Sequence, residues 1–282
     1  MDAVVLAACS AALFGAMTVA IRMAFARGAD AELAAFLTVV PALAVALAVA
    51  IVRGGWELAG VWPFLLAGIL GPGASQILIV IGVRDAGASR TSAIFGTAPL
   101  FAIVIAVALL DEPLVAGIVV GALLIVVGGV GLAWEPGRPE HLKAIGLLFA
   151  LGAAVIFAVR DSFVRWVSLD TEVAPSLAAA ATLVSAALVA VAWLLLRRKR
   201  VVFASLPQFL PAGLVFGLSY VCLFEAYYRG RVSVVSPIIA TEALWAVVFS
   251  ALLLRRTELV GVRLVIGAGL VVAGGVLISV YR

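Results

Sequence analysis

Apolar residues run along this chain in long unbroken blocks, and polar residues are confined to short gaps between them. Ten blocks can be marked, at roughly 3–25, 31–52, 61–82, 90–110, 114–133, 144–166, 174–196, 208–228, 232–254 and 259–280. A transmembrane helix needs about 20 mostly apolar residues to cross a hydrocarbon core of about 30 Å. The pattern therefore predicts ten transmembrane helices. A β-barrel is excluded, because its strands alternate apolar and polar positions. The gaps carry polar punctuation: Arg27-Gly28-Ala29-Asp30, Arg53-Gly54-Gly55, Arg84-Asp85-Ala86-Gly87, Asp111-Glu112-Pro113 and Arg197-Arg198-Lys199-Arg200. The first block lacks a basic leader and is long enough to span, so it reads as a first helix and not as a cleaved signal.

The longest polar gap, Trp134 to Lys143, falls at mid-chain and prompts a search for a repeat. At a constant offset of 144, Pro63 matches Pro207, Gly73 matches Gly217, Ser75 matches Ser219, Ser89 matches Ser233 and Thr97 matches Thr241. Pro99-Leu100-Phe101-Ala102 aligns with Ala243-Leu244-Trp245-Ala246 at the same offset. Beyond Arg255-Arg256 the offset becomes 146, where Glu112 matches Glu258, Gly121 matches Gly267, and Gly128-Gly129 match Gly274-Gly275. Each half then holds five helices, and an odd number inserts the second half upside down. The fold class expected is an all-α integral membrane protein with ten transmembrane helices as two inverted five-helix repeats. The repeats are residues 1–134 and 144–282, with 135–143 as connector. Inverted repeats of this kind place a solute site at their interface near the midplane, reached by alternating access.

Composition agrees with lipid as the solvent. Of 282 residues, 66% are hydrophobic and 12% charged, with a mean hydropathy of +1.28. An ordinary soluble domain has about 45–50% apolar and about 25% charged residues. The net charge of +4 is not a nucleic-acid signal, because the basic residues sit between apolar blocks, where positive charge sets orientation. One face collects Arg27, Arg84, Arg90, Arg138, Lys143, Arg197, Arg198, Lys199, Arg200, Arg255 and Arg256. The other, with both termini, has Arg53, Arg165, Arg229, Arg231 and Arg282. The charge count makes the first face cytoplasmic. Cys9 and Cys222 lie inside apolar blocks and the single histidine, His141, lies in the connector, so no disulfide framework and no metal site is expected. No phosphate-binding GxxxxGK[ST] occurs. No cofactor is expected, and neither is direct drive by ATP. No His-acid, Ser-His or Cys-His set lies within the blocks, so an enzyme is not expected.

Charges inside a membrane face a cavity or a partner. Asp161 and Arg165, and likewise Glu225 and Arg229, are four apart and so placed to pair on one helix face. Arg160 and Glu242 have only apolar residues four positions away on either side. Glu242 lies ten residues into the ninth block, about 15 Å deep at a rise of 1.5 Å per residue. It is the candidate for proton coupling or for holding a cationic group. A structural pairing with Arg160 is the alternative, and for Arg160 itself so is snorkelling. The offset sets Gln76 against Tyr220 and Thr97 against Thr241 across the repeat axis, and Trp245 lies one turn after Glu242. Gln76, Thr97, Arg160, Tyr220, Thr241, Glu242 and Trp245 are therefore the candidate substrate-binding residues. Gly71-Pro72-Gly73 should interrupt the third helix, freeing backbone groups of the kind that line transport sites. Gly117-x-x-x-Gly121 and Gly213-x-x-x-Gly217 read as close helix contacts.

These features resemble the drug/metabolite transporter superfamily, EamA type, and within it the amino-acid and metabolite exporters. The resemblance rests on the two five-helix halves and the turn Leu109-Leu110-Asp111-Glu112-Pro113-Leu114. It rests also on the glycine-rich fifth helix from Gly117 to Gly129, on Ala98-Pro99-Leu100-Phe101, and on Phe14-Gly15. It implies export of amino acids or similar solutes across a bacterial-type inner membrane, with termini in the cytoplasm, opposite to the charge count. In the second half Ala243 stands where the resemblance implies proline. The expected partners are a small-molecule substrate, the lipid bilayer and protons as coupling ion. The other functions open on the sequence are an uptake carrier or exchanger for another metabolite or drug, and a passive channel or lipid-handling protein.

Overall fold

The computed structural model describes residues 2–86, 94–133, 144–199, 205–254 and 262–281. The connector with Arg138, His141 and Lys143 lies outside the described residues, as do Ser89, Arg90, Arg200, Arg255, Arg256, Glu258 and Arg282. Among the described residues there are helices and turns and no strand. The elements are α1 (Ala3–Ala26), α2 (Ala31–Arg53), α3 (Trp62–Gly68), a wide π-type turn (Ile69–Ala74), α4 (Ser75–Ala86), α5 (Ala98–Leu109) and α6 (Ala116–Ala133). They continue with α7 (Ala144–Ser168), α8 (Pro175–Leu196), α9 (Leu206–Arg229), α10 (Val232–Ile239), α11 (Glu242–Leu254) and α12 (Val262–Tyr281). Seven described stretches are long and apolar enough to cross a membrane, and Ala98–Leu109, Ala116–Gly131 and Ile266–Tyr281 are shorter apolar helices.

Three of the predicted helices are interrupted, the fourth by a turn at Gly96-Thr97. The third block is α3, the π-type turn and α4, with Gly71 at φ −150 and ψ 126 inside the turn. Proline at 72 cannot donate to the helix ladder, and its ring restricts the residue before it. The ninth block is split into α10 and α11 at Ala240-Thr241. Pro237 lies inside α10, and the Thr241 hydroxyl donates to the carbonyl of Ile238 at 2.7 Å. Both weaken the ladder locally.

The halves interlock. Helix α1 packs on α9, α10 and α11, while α7 packs on α4 and α5. Helix α2 packs on α9, α8 on α3, α2 on α8, and α6 on α12. Contacts made by an element of one half on the other therefore return with the roles exchanged. The interior is built from small residues, among them Ala7, Ala11, Ala42, Ala46, Ala102, Ala106, Ala150, Ala154, Ala178 and Ala212. Large aliphatic side chains such as Val104, Leu148, Leu188 and Val276 point outward. Lipid supplies no hydrophobic drive between helices, so close approach of small residues replaces it. A methyl group on Gly121 would lie 2.8 Å from the Gly274 carbonyl, and one on Gly217 would lie 2.6 Å from that of Ala42. Polar clasps add to this. Ser10 and Ser219 each donate to the other's carbonyl at 2.9 Å, and Thr182 donates to the Phe64 carbonyl at 3.1 Å.

Replacing Gly217 by valine forces α9 off the backbone of α2. The expected result is a loss of about 1–3 kcal/mol, as for other overpacked interiors, seen as a lower melting temperature in detergent. Gly129→Ala, where a methyl group meets nothing within 4 Å, should leave the melting temperature within experimental error.

Candidate functional site

The fourth and ninth blocks, broken at Thr97 and Thr241, carry the same local structure at the offset of 144. The Thr97 amide donates to Ile94 at 3.0 Å and the Leu100 amide to the Thr97 carbonyl at 3.0 Å. The Thr241 amide donates to Ile238 at 3.1 Å and the Leu244 amide to the Thr241 carbonyl at 3.0 Å. Each hydroxyl folds back onto the carbonyl three residues earlier, at 2.6 Å for Thr97 and 2.7 Å for Thr241. Both threonines are half-buried. Thus each half contains a helix start held in place by its own threonine.

Glu242 opens α11 immediately after this break. A carboxylate in a first helical turn is stabilised by the exposed amides and the helix dipole. Glu242 is half-buried and forms no ion pair among the described residues. The alternative pairing with Arg160 is not made. Trp245 is fixed against α1, where a methyl group on Gly15 would lie 2.6 Å from its Cβ, and its ring stacks on Phe249 at 5.9 Å. Neighbouring Phe14 meets the Tyr220 ring edge-on at 6.0 Å. Gln76 is half-buried on α4 and has no hydrogen-bond partner among the described residues. Its repeat mate Tyr220 has its hydroxyl on Arg160 of α7.

Arg160 is fully buried, and it is not alone. Its Nη1 lies 2.9 Å from Asp161 Oδ1. Its Nη2 donates to the Tyr220 hydroxyl at 3.3 Å. The guanidinium also sits 4.3 Å from the Phe157 ring centre and 5.6 Å from that of Tyr220. Phe157 in turn meets Phe95, two residues before Thr97, at 5.3 Å. The structure thus joins Arg160 and Tyr220 directly, and links them to Thr97 and Trp245 through aromatic neighbours. The spacing-based pair of Asp161 with Arg165 does not form. Arg165 donates to the carbonyls of Tyr227 and Tyr228 at 2.8 and 3.3 Å, because α9 presents its unpaired C-terminal carbonyls there. Glu225 does pair with Arg229, at 2.5 Å, and also with Arg53.

Sequence reasoning missed Asp161 as the partner of Arg160, although Phe157 at three residues' spacing was a signal for the cation–aromatic contact. It also missed the role of Glu112. This buried carboxylate accepts from the Val232 amide at 2.8 Å, the Ser233 amide at 3.0 Å and the Ser233 hydroxyl at 2.5 Å. It caps α10 from 120 residues away, so α10 and the break that follows it are anchored to the turn after α5. With the clustered contacts of Arg53, Glu225, Arg229 and Arg165, it ties together the end of the molecule where α2, α7 and α9 terminate.

Glu112→Ala should cost about 1–2 kcal/mol, as for loss of a helix cap, and amide exchange at Val232 and Ser233 should accelerate. Arg160→Gln leaves a buried carboxylate unpaired. Its expected cost is about 3–5 kcal/mol, and the double substitution Arg160→Gln with Asp161→Asn should be the milder of the two in thermal unfolding.

No curated protein matches the chain significantly. Among solved structures, 27 chains match. One, described only as the crystal structure of a protein, shares 21% identity over 99% of this chain and 97% of its own, with a TM-score of 0.80; it supports the fold. The model of the EamA-like transporter family matches twice, over residues 1–134 and 144–280. Its two matches, together with the apolar helices and small-residue packing of a membrane protein, lead to one conclusion: the chain belongs to the EamA-like transporter family.

Proposed function

We propose that this integral membrane protein is a secondary transporter working by alternating access of two inverted five-helix repeats that make ten spans. It exports amino acids or similar amphipathic solutes across a bacterial-type inner membrane. Gln76, Thr97, Arg160, Tyr220, Thr241, Glu242 and Trp245 line the solute path. The observation that carries this reading is the half-buried Glu242, placed at a helix break and without an ion-pair partner among the described residues. A carboxylate in that position is free to exchange a proton or to meet a cationic group.

The exchange of helix contacts between the halves supports the inverted repeat. So does the shared hydrogen-bond pattern at Thr97 and Thr241. A site shared by both halves can then be opened to either side by rocking one unit on the other. The membrane localisation and the transporter class follow from the family. The substrate reading is supported by the kinds of group that the candidate residues supply: a base, an acid, hydroxyls and aromatic rings; the direction is the one the family resemblance implies.

The test is uptake and counterflow of a labelled amino-acid panel in proteoliposomes, with and without a pH gradient. Saturable exchange of at least one amino acid is expected, accelerated by the gradient. In Glu242→Gln the acceleration should be lost. If that variant keeps both transport and its pH dependence, Glu242 is not the coupling group.

A further inference from the structure

The ion pair on α7 has a geometry that helix packing does not account for. Side chains of adjacent helical residues do not face each other. The Arg160 guanidinium nevertheless curls round to bring Nη1 2.9 Å from Asp161 Oδ1. That contact balances charge but leaves hydrogen bonding incomplete. Arg160 Nε and Nη1 and both oxygens of Asp161 have no hydrogen-bond partner of good geometry among the described residues. The Tyr227 hydroxyl is close enough to interact with Asp161, yet it too lacks a well-formed hydrogen bond. Buried polar atoms are almost always paired, and Arg160 Nε has no partner among the described residues, so the incomplete hydrogen bonding around this ion pair points to a ligand that completes it.

We propose that Arg160 and Asp161 form a head-group subsite for a zwitterion, with the solute's carboxylate on the guanidinium and its ammonium on the Asp161 carboxylate. The proposal rests on the carrier reading above and adds to it the groups that read the substrate. In the unloaded site the two protein charges neutralise each other. A bound zwitterion replaces one incomplete contact by two charge-assisted hydrogen-bonded pairs, and the Tyr220 and Tyr227 hydroxyls lie beside them. Phe157 and Tyr220 cover the guanidinium with ring faces, which keeps water from competing. A solute carrying only one of the two charges would leave one protein charge unpaired in apolar surroundings. The subsite therefore rejects amines and acids as well as accepting zwitterions.

The experiment is proteoliposome counterflow with three probe sets: free neutral amino acids, their N-acetyl derivatives, and their amides. Free amino acids should exchange, and both derivatives should compete at least about tenfold more weakly, since a site built around paired polar groups penalises their loss. The charge-free variant Arg160→Gln with Asp161→Asn keeps no buried unpaired charge. Its folding is checked by its melting temperature in detergent, and it should lose the discrimination between free and derivatised forms. Equal exchange of derivatives and free amino acids by the wild type overturns the subsite and leaves the carrier reading standing. So does counterflow of a sugar or nucleotide with none of the three sets, and so does unchanged discrimination in the folded double variant. Absence of counterflow for every solute overturns the carrier reading and the subsite together.

Discussion

A hydrocarbon solvent removes the hydrophobic drive that holds soluble helices together, and the rest of this structure follows from how the chain replaces it. Its helices meet through glycine and alanine, at distances that leave no room for a methyl group where Gly15 passes Trp245 or Gly217 passes Ala42. Such contacts are made of dispersion and complementary shape. They are insensitive to side-chain chemistry, which leaves the few polar residues available for other tasks.

The same solvent makes every unsatisfied polar group expensive, and the polar groups are placed accordingly. Where α10 begins, Glu112 supplies acceptors to its first amides. Where the helices restart at Ala98 and Glu242, a threonine hydroxyl is held by the preceding turn. Arg165 takes up carbonyls at the end of α9. Against this background the Arg160–Asp161 pair stands apart, because it is the buried charge cluster whose hydrogen-bonding capacity remains largely unused. Glu242 stands apart for a second reason: no ion pair neutralises it among the described residues. Helix α1 contacts the neighbours of both, Tyr220 through Phe14 and Trp245 through Gly15.

Much of the architecture was legible because its signals are periodic or repeated. Block length announced the helices, and glycine spacing announced the close contacts of Gly213 and Gly217 with α2. The proline at 72 announced the interruption of the third block. The break at Thr241 was not announced, since neither threonine nor an apolar run is by itself a helix stop. The repeat did hold the information, because Thr97 and Thr241 share their surroundings. The site was legible only in part. Arg160, Tyr220 and Glu242 could be named as polar groups in apolar blocks, but a four-residue spacing rule gave Arg160 no partner and gave Asp161 to Arg165, whereas the long side chain of Arg160 bends to its neighbour Asp161.

The sequence by itself determined what local and periodic physics can determine: the number and length of apolar blocks, the two-fold repetition, the close-contact glycines, and which residues would be costly to bury. The tertiary structure alone decided which of those costs are met and by what. Glu112 reaches α10 across 120 residues, Ser10 meets Ser219 across 209, and Arg165 is drawn from Asp161 to the end of α9. Such pairings depend on how whole helices pack, and nothing in the neighbourhood of either residue along the chain encodes the other.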